Sequence, residues 1–377
     1  MTKQAKREDS LERLERHLAA QMILGERSGT FDMCDEPEAQ VLAPFAELRA
    51  ALQWLEEKVT EPWRAADQKA LRTQSQHRLL AQTAIITGTA AIVLAVVQLS
   101  IKLTWRQWTS IALVLEAAAV VAAVVAVAVG LTAKYNRQWL GQRHLAELLR
   151  MLKFRALGEI WRLDPISWRK WVEDQLDELN GAADFERVEQ WSREGDVEPY
   201  DPRITTSSLD PNSAKALTIY YRIKRLDFQA NYFKSRHDTY TRQTGRWLHL
   251  SLPLFLASVF CVLAHFAAEF WDRRLQSAGD VHGAEVWHNI AIWCVALAAV
   301  IPVLGIGVRA WFAAFELPRS ASLFAAKHRA LVRASAHLQE DSDDVAATLR
   351  HMAQSEHFLE HEHREWLRLL SDSEWFL

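Results

Sequence analysis

The ionisable residue with the most unusual setting in this sequence is Glu116, which lies inside a long run of alanine, valine and leucine. A charged side chain in the middle of a membrane helix is unfavourable by roughly 2.5–3.5 kcal/mol on insertion scales, and it usually faces protein or water. One interpretation is a pore-lining or proton-sensitive carboxylate. The other is a protonated or helix-bonded glutamate near the outer interface. Glu116 is the first candidate for a pore or gating residue.

Three further residues in apolar runs are candidates for gating: His265, Pro253 and Pro302. A solvated histidine titrates between pH 5 and 8, whereas a buried neutral histidine bonded to a neighbour does not respond in that range. Each proline removes a backbone hydrogen bond within a helix and can kink it. The kinks are either hinges for gating or static bends, and the sequence leaves both interpretations open.

The C-terminal segment RHMAQSEHFLEHEHREWLRLL places His357 and His361 four residues apart, with Glu360 and Glu362 beside them. Two histidines at that spacing lie on one face of a helix and can bind zinc. The glutamate does not follow the first histidine, so the metalloprotease pattern HExxH is not met. A solvated polar face explains the cluster more simply, and we predict no metal site.

Motifs for nucleotide and acyl chemistry do not occur in the chain. GxxxxGK[ST], GxGxxG and GxSxG are all missing, and no Ser/His/Asp set can be assigned to one site. The formal net charge is −3, and no run of four or more Lys and Arg occurs. We therefore predict that the chain is not an enzyme, takes no cofactor and does not bind nucleic acid.

The elements that carry these candidates are four apolar runs, each long enough to cross the ~30 Å hydrocarbon core as a helix. They cover about 79–99, 110–133, 247–270 and 290–315. A short break separates the members of each pair, which predicts two hairpins. The expected fold is an all-α polytopic membrane protein with four transmembrane helices, whose long helices extend into a cytoplasmic helical bundle.

The flanking segments are charged and have helical periodicity, with no breaker between the second apolar run and the segment after it. Residues 193–213 are rich in Pro, Asp, Ser and Thr and predict a linker. The domains are then an N-terminal helical segment at 1–37, a first unit at 38–192 and a second at 214–377. Both units have the order polar helix, span, short loop, span, polar helix. A tandem duplication and convergent spacing both explain this order.

Lysine and arginine are far more frequent on one side of the apolar runs than in the two short loops, which contain Lys102, Arg106, Arg273 and Arg274. The positive-inside rule then places both termini in the cytoplasm, and we expect a multi-pass protein of the inner membrane. Small residues of the first hairpin, with Gly88 and Gly130, predict close helix packing and a homo-oligomer.

Two stretches carry a resemblance to a known family. The segment YYRIKRLDFQANYFKSRHDTYTRQTGRWL, at 220–248, is a basic, aromatic helix before a span. The segment NRQWLGQRHLAELLRMLKF, at 136–154, follows a span and contains the pattern R-x-x-A-E-x-L-R. Both resemble the SLATT family, two-transmembrane effector domains associated with second-messenger and SLOG systems. The C-terminal EHEHREWLRLL resembles the ending of some members. The resemblance covers about 40–180 and 210–370 as two tandem units.

The resemblance implies a membrane effector of prokaryotic antiphage defence, which disrupts the bilayer when a partner senses infection. Its partners would be the lipid bilayer, further copies of the chain, and a cytoplasmic sensor protein or nucleotide signal. No catalytic residue is carried over. Two alternatives come from the residues themselves: an ion channel or small-solute transporter, and a non-conducting membrane scaffold or sensor partner. A transporter would normally need more spans, or paired polar residues at the middle of the membrane. The chain has four predicted spans and one charge well inside them, which disfavours a transporter.

Overall fold

The computed structural model describes residues 3–28, 36–160, 162–194, 211–248, 250–315, 317–340 and 344–371, and these are helical with no strand. The first half contains α1 (Lys3–Ser28), α2 (Glu36–Val41), α3 (Ala46–Leu55), α4 (Glu61–Thr104), α5 (Thr109–Ala133), α6 (Tyr135–Glu159), α7 (Pro165–Glu178) and α8 (Phe185–Arg193). The second half contains α9 (Pro211–Tyr221), α10 (Phe228–Leu248), α11 (Ser251–Ser277), α12 (Val281–Phe315), α13 (Leu317–Glu340) and α14 (Val345–Ser371). Most of the predicted linker lies outside the described residues.

Two segments of π-helix interrupt the α-helical pattern. The first π segment, Glu56–Thr60, joins α3 to α4, and the second π segment, Arg222–Asp227, joins α9 to α10. In each, a backbone N–H bonds a carbonyl five residues back, from Glu61 to Glu56 and from Phe228 to Ile223. π-Helices are rare and occur frequently at functional sites. Each segment precedes the first apolar helix of its half, and hydrophobic periodicity did not predict either.

The predicted continuous helix from the second apolar run into the following segment is wrong. Lys134 adopts a left-handed conformation with φ of 50°, so α5 ends at Ala133 and α6 begins at Tyr135. A left-handed residue stops the α-helical hydrogen-bond ladder, and a lysine can adopt this conformation without glycine or proline marking the position in the sequence. The first apolar run, by contrast, is continuous with the charged segment before it, because α4 runs unbroken from Glu61 to Thr104.

The break between the last two apolar helices is shorter than predicted. α11 extends to Ser277 and α12 begins at Val281, so polar residues expected in a loop belong to helix ends. Gly279 takes φ of 81° in the turn, and the Asp280 carboxylate accepts a hydrogen bond from the Gly283 N–H at 3.0 Å. This N-terminal cap starts α12 several residues before its apolar run.

The chain forms two compact units that combine segments from both halves of the sequence. The charged unit contains Met1–Gln74, Tyr135–His237 and Ser322–Glu374. The apolar unit contains Ser75–Lys134 and Asp238–Ala321. These units are spatial, whereas the predicted tandem units are sequence repeats, so the duplication stays a prediction.

The charged unit has a continuous hydrophobic core of its own. Fully buried side chains are contributed by most of its helices, including Leu14 on α1, Leu52 on α3, Phe154 on α6, Tyr220 on α9 and Leu331 on α13. The Asp164 carboxylate caps α7 by accepting from the N–H groups of Ile166 and Ser167, and Pro165 is the first residue of the helix. This packing gives the charged unit a rigid frame for its buried polar groups.

Candidate functional site

Among the described residues, four helices are long and apolar enough to cross a membrane. They cover Ala46–Thr104, Arg106–Ala133, Leu252–Ser277 and Val281–Phe312. Only 6% to 17% of the residues in the most apolar window of each are buried inside the chain. So much apolar surface has no place in water, and hydrocarbon is the environment that fits it. The chain is thus consistent with a multi-pass membrane protein.

Glu116 lies on the less exposed face of α5, with one carboxylate oxygen buried. That oxygen, Oε2, has no hydrogen-bond partner among the described residues, and the same holds for the Thr109 hydroxyl two turns earlier. The neighbouring positions of this face are small: Ala112, Ala119, Ala123, Ala126 and Gly130. The structure thus places Glu116 on a helix face that permits close approach, and no ion pair of Glu116 occurs within the part of the chain that the structure describes.

His265 and Pro302 both contribute to the packing of α11 against α12. His265 Nδ1 lies 3.2 Å from the Ala291 carbonyl, as a histidine bonded to a neighbouring helix would. Pro302 lies inside α12 and removes the hydrogen bond to the Ala298 carbonyl, four residues earlier. The Ser258 hydroxyl donates to that carbonyl at 3.1 Å. A side chain on α11 therefore satisfies the backbone group that the proline leaves free.

Pro253 does not interrupt a helix. It is the third residue of α11, in the first turn of the helix. A residue in the first turn has no hydrogen-bond partner for its backbone N–H within the helix, so the missing N–H of proline breaks no helical hydrogen bond there. The interpretation of Pro253 as a kink inside the third span is therefore wrong, because the apolar helix starts at Ser251 rather than near Trp247.

Close packing of the apolar helices occurs at a glycine other than those singled out from the sequence. Gly88 and Gly130 have no neighbouring atom within 4 Å of the position a Cβ would occupy. At Gly307 a Cβ would lie 2.7 Å from the Thr89 hydroxyl oxygen and 2.9 Å from its methyl group. α4 and α12 therefore approach each other where Gly307 faces Thr89.

A buried ionic network in the charged unit is the main feature that sequence reasoning missed. Arg225, fully buried, donates from Nε and Nη2 to the two carboxylate oxygens of Glu356, both at 2.8 Å. The Tyr221 hydroxyl donates to Glu356 Oε1 at 2.8 Å, and Arg225 Nη1 lies 3.4 Å from Glu147 Oε1. A buried charge is tolerated when it is paired and hydrogen-bonded in this way.

The network continues through Glu147 towards the surface. Glu147 also contacts Arg150 at 3.2 Å and Arg143 at 3.7 Å, and Arg143 pairs with Asp67 of α4 at 2.8 Å. Burial raises the pKa of Glu147, but Arg150, Arg225 and Arg143 lower it by more. The carboxylate therefore stays ionised at pH values far below those at which a glutamate ordinarily becomes protonated. Glu147 and Arg150 belong to the R-x-x-A-E-x-L-R pattern, and their role in the structure is ionic packing.

A pair of buried histidines lies beside this network. His144 Nδ1 of α6 and His363 Nε2 of α14 are 3.1 Å apart, so one ring donates and the other accepts. Burial and, to a smaller extent, Arg364 lower the pKa of His144 to about 4, against an opposing effect of Glu147. Burial and His144 likewise hold the pKa of His363 well below its ordinary value. Both rings are neutral at pH 7.

The buried histidine of α14 that pairs with another helix is thus His363, rather than His357 or His361, which stood out for their spacing. His357 and His361 do not join a metal-binding group, since no set of three His, Cys, Asp or Glu side chains in the described ranges is arranged to hold an ion. His363 packs on Trp366 and near Trp191, with ring centroids 5.7 and 5.8 Å away. Its place in the EHEHREW motif, three residues before Trp366, was the available signal.

The stability of the charged unit should decrease on mild acidification. His144 has an ordinary pKa of 6.5 when unfolded and about 4 when folded, so the unfolded chain binds more protons between these values. The contribution is complete above pH 6.5 and decreases as the pH falls towards 4. Between pH 7 and pH 5 the loss is about 2 kcal/mol from His144, and His363 adds to it.

The measurement is urea denaturation of the full chain in detergent micelles at both pH values, followed by tryptophan fluorescence. The variant His144→Asn should show a smaller difference between pH 7 and pH 5 than the parent. An equal difference in parent and variant would assign the pH dependence to other groups.

Comparison of the whole chain with known proteins adds no assignment to this geometry. No protein-family model, curated protein or solved structure matches the chain.

Proposed function

We propose that this chain is a membrane-embedded effector of prokaryotic antiphage defence, which permeabilises the inner membrane when it is activated and so ends the infected cell. The observation that carries the proposal is the pairing of four exposed apolar helices with a charged unit built around buried ion pairs. The resemblance to the SLATT family supports the same function. The presence of a π segment before the first span in each half supports two tandem units.

The proposed mechanism is a rearrangement of the apolar helices within the bilayer. One copy has too few spans to enclose a wide channel, so the active form is a homo-oligomer. The small-residue face of α5 is suited to close helix packing, and the unpaired Glu116 oxygen on that face makes local hydration favourable. A cytoplasmic sensor protein or nucleotide signal would act on the charged unit.

The proposed orientation places both termini and the charged unit in the cytoplasm. The distribution of Lys and Arg supports it. Cysteine substitution at Ser277, at the end of α11, should then react with an impermeant thiol reagent from outside intact cells. Substitution at the exposed Ser167 in α7 should react only after the cells are opened.

A second candidate function, a selective ion channel or small-solute transporter, is favoured by one observation only: the unpartnered Glu116 oxygen in a membrane-spanning helix. Selective conduction would leave cells viable at moderate expression and would depend on the ion supplied. A permeabilising effector would instead depolarise cells whatever the cation.

The function is tested by induced expression of the full chain in bacteria with a fluorescent reporter of membrane potential. We expect depolarisation and growth arrest, and Glu116→Gln should change the depolarisation rate several-fold, because it removes the only charge of α5. The control is Glu269→Gln, since Glu269 pairs with Arg273 near the polar end of α11. Normal potential and growth at high expression, with and without phage infection, would favour the scaffold.

A further inference from the structure

The second π segment concentrates buried positive charge in six residues. Its sequence is RIKRLD, and three of its side chains are cationic. Lys224 and Arg225 are almost completely buried, and the Arg222 side chain is 12% exposed. Three cations so close together repel one another and lose hydration, so each needs an anionic partner. The conformation of the segment depends on where these partners come from.

The partners come from separate parts of the charged unit. Arg222 pairs with Glu15 of α1, and Lys224 pairs with Glu38 of α2 at 2.6 Å. Lys224 also lies 3.3 Å from the Gln21 side-chain oxygen of α1. Arg225 is held by the body of the unit, through Glu356 and Glu147, and Arg222 also lies 3.9 Å from Asp227 at the end of the segment. The N-terminal part of the chain thus neutralises two of the three cations.

The contact between the N-terminal part and the rest of the unit combines the two ion pairs with a narrow apolar stripe, in which Leu14 and Leu18 join the hydrophobic core and Leu11 and Met22 pack against it. On α1 the fully buried side chains among those described are Leu14 and Leu18, while Glu12, Arg13 and Arg16 are directed to solvent and pair within the helix. The ionic part of this contact can separate with less loss than the apolar part, because water solvates both charges when they part. α1 and α2, named here the N-terminal clamp, are suited to reversible docking.

Release of the clamp would act directly on the helix that leads to the third apolar span. α10 starts at Phe228, immediately after the second π segment, and α11 begins shortly after α10 ends. A π segment holds one residue more per turn than the α-helix. Converting the segment to α-helix would rotate α10 by roughly 100° relative to α9. Loss of the two counter-charges would remove two of the ionic contacts that hold the π segment in place.

We infer that the N-terminal clamp is an autoinhibitory element: docked on the second π segment through Glu15–Arg222 and Glu38–Lys224, it keeps the protein inactive, and its release activates it. This inference rests on the proposed function, because activation is measured as membrane permeabilisation. It assigns the regulatory input to a surface of this chain that a cytoplasmic activator would displace. It also gives the second π segment, between α9 and α10, the role of a docking site for the clamp.

The test uses Glu38→Gln in the full chain. The variant leaves Lys224 buried without a full counter-charge, so the clamp should undock. Hydrogen exchange of α1 and α2 amides, measured on protein in lipid nanodiscs, should be at least tenfold faster than in the parent, with α14 unchanged. Cells expressing the variant should depolarise at an expression level at which the parent does not. Glu15→Gln should act in the same direction with a smaller effect, because Glu15 is half exposed.

Two controls separate release of the clamp from misfolding. Glu12→Gln changes a solvent-exposed carboxylate of the same helix that pairs with Arg16 within the helix, and it should behave as the parent in both measurements. Glu38→Leu combined with Lys224→Met replaces the buried ion pair by apolar side chains, which is often neutral or stabilising. The double variant should restore slow exchange and low depolarisation.

The outcomes distinguish this inference from the proposed function. Unchanged exchange in Glu38→Gln would overturn the clamp, whatever the cells do. Faster exchange without earlier depolarisation, in cells that the overexpressed parent does depolarise, would also overturn it while the proposed function stands. Depolarisation by neither parent nor variant at any level would reject the proposed function, and the autoinhibitory role with it.

Discussion

Replacing Glu356 by glutamine is expected to destabilise the charged unit by about 3–5 kcal/mol. The Glu356 carboxylate accepts two hydrogen bonds from Arg225 and one from Tyr221, all at 2.8 Å. Burial lowers the pKa of Arg225, but Glu356 and Glu147 raise it by more, so Arg225 stays charged. Removing the closer carboxylate charge leaves a buried guanidinium whose other carboxylate partner, Glu147, is 3.4 Å away.

Urea denaturation of the full chain in detergent, followed by tryptophan fluorescence, measures this loss. The matched control is Glu365→Gln on the same helix, where the carboxylate pairs with Arg368 at 2.8 Å but both side chains are about 40% exposed. The control should change the free energy of unfolding by less than about 1 kcal/mol. A Glu356→Gln variant as stable as this control would show that the Arg225 pair is not the main polar anchor of α14.

Replacing Gly141 by alanine is expected to destabilise the charged unit by at least about 3 kcal/mol, since overpacking a tight contact commonly costs 1–3 kcal/mol and this contact is with backbone. A Cβ atom at residue 141 would lie 2.0 Å from the Ala183 carbonyl oxygen and 3.0 Å from its carbon. No rotamer change can relieve an overlap with backbone, so α6 would have to move away from the residues before α8.

Gly158→Ala in the same helix is the control for Gly141→Ala. No neighbouring atom lies within 4 Å of the position of its Cβ, and alanine has a helix propensity about 1 kcal/mol better than glycine. We expect Gly158→Ala to be as stable as the parent or slightly more stable in the same denaturation experiment. Equal behaviour of the two variants would contradict the close approach of Ala183 to α6.

The sequence predicted the helical fold class and the four apolar helices because both depend on local pattern. A run of apolar residues such as that from Leu79 to Leu99 is long enough to span a bilayer whatever surrounds it. The N-terminal cap by Asp164 is local in the same sense, since it joins residues two and three positions apart. Glu116 stood out for a local reason as well, as a single carboxylate among apolar neighbours.

The candidate sites were predicted less completely, because their partners are distant in sequence. The sequence indicated that His265 and Pro302 lie in apolar runs. It did not indicate that the Ala291 carbonyl would contact the His265 ring, or that the Ser258 hydroxyl would bond the carbonyl left free by Pro302. Spacing drew attention to His357 and His361, whereas the buried histidine is His363, paired across 219 residues with His144. Helical spacing shows which residues share a face of a helix, but it does not show which polar face packs against another helix.

What the sequence by itself determined is therefore the set of elements: an all-helical chain with four apolar helices and charged flanking segments. The tertiary structure decided which charges are paired. The RIKRLD segment is basic in any conformation, but it is buried only because Glu15, Glu38, Glu356 and Glu147 from four other helices meet it. Buried charges require partners at specific positions in space, and no local rule of hydrophobic period or propensity encodes those positions. The left-handed Lys134 and the two π segments belong to the same class of features that packing decides.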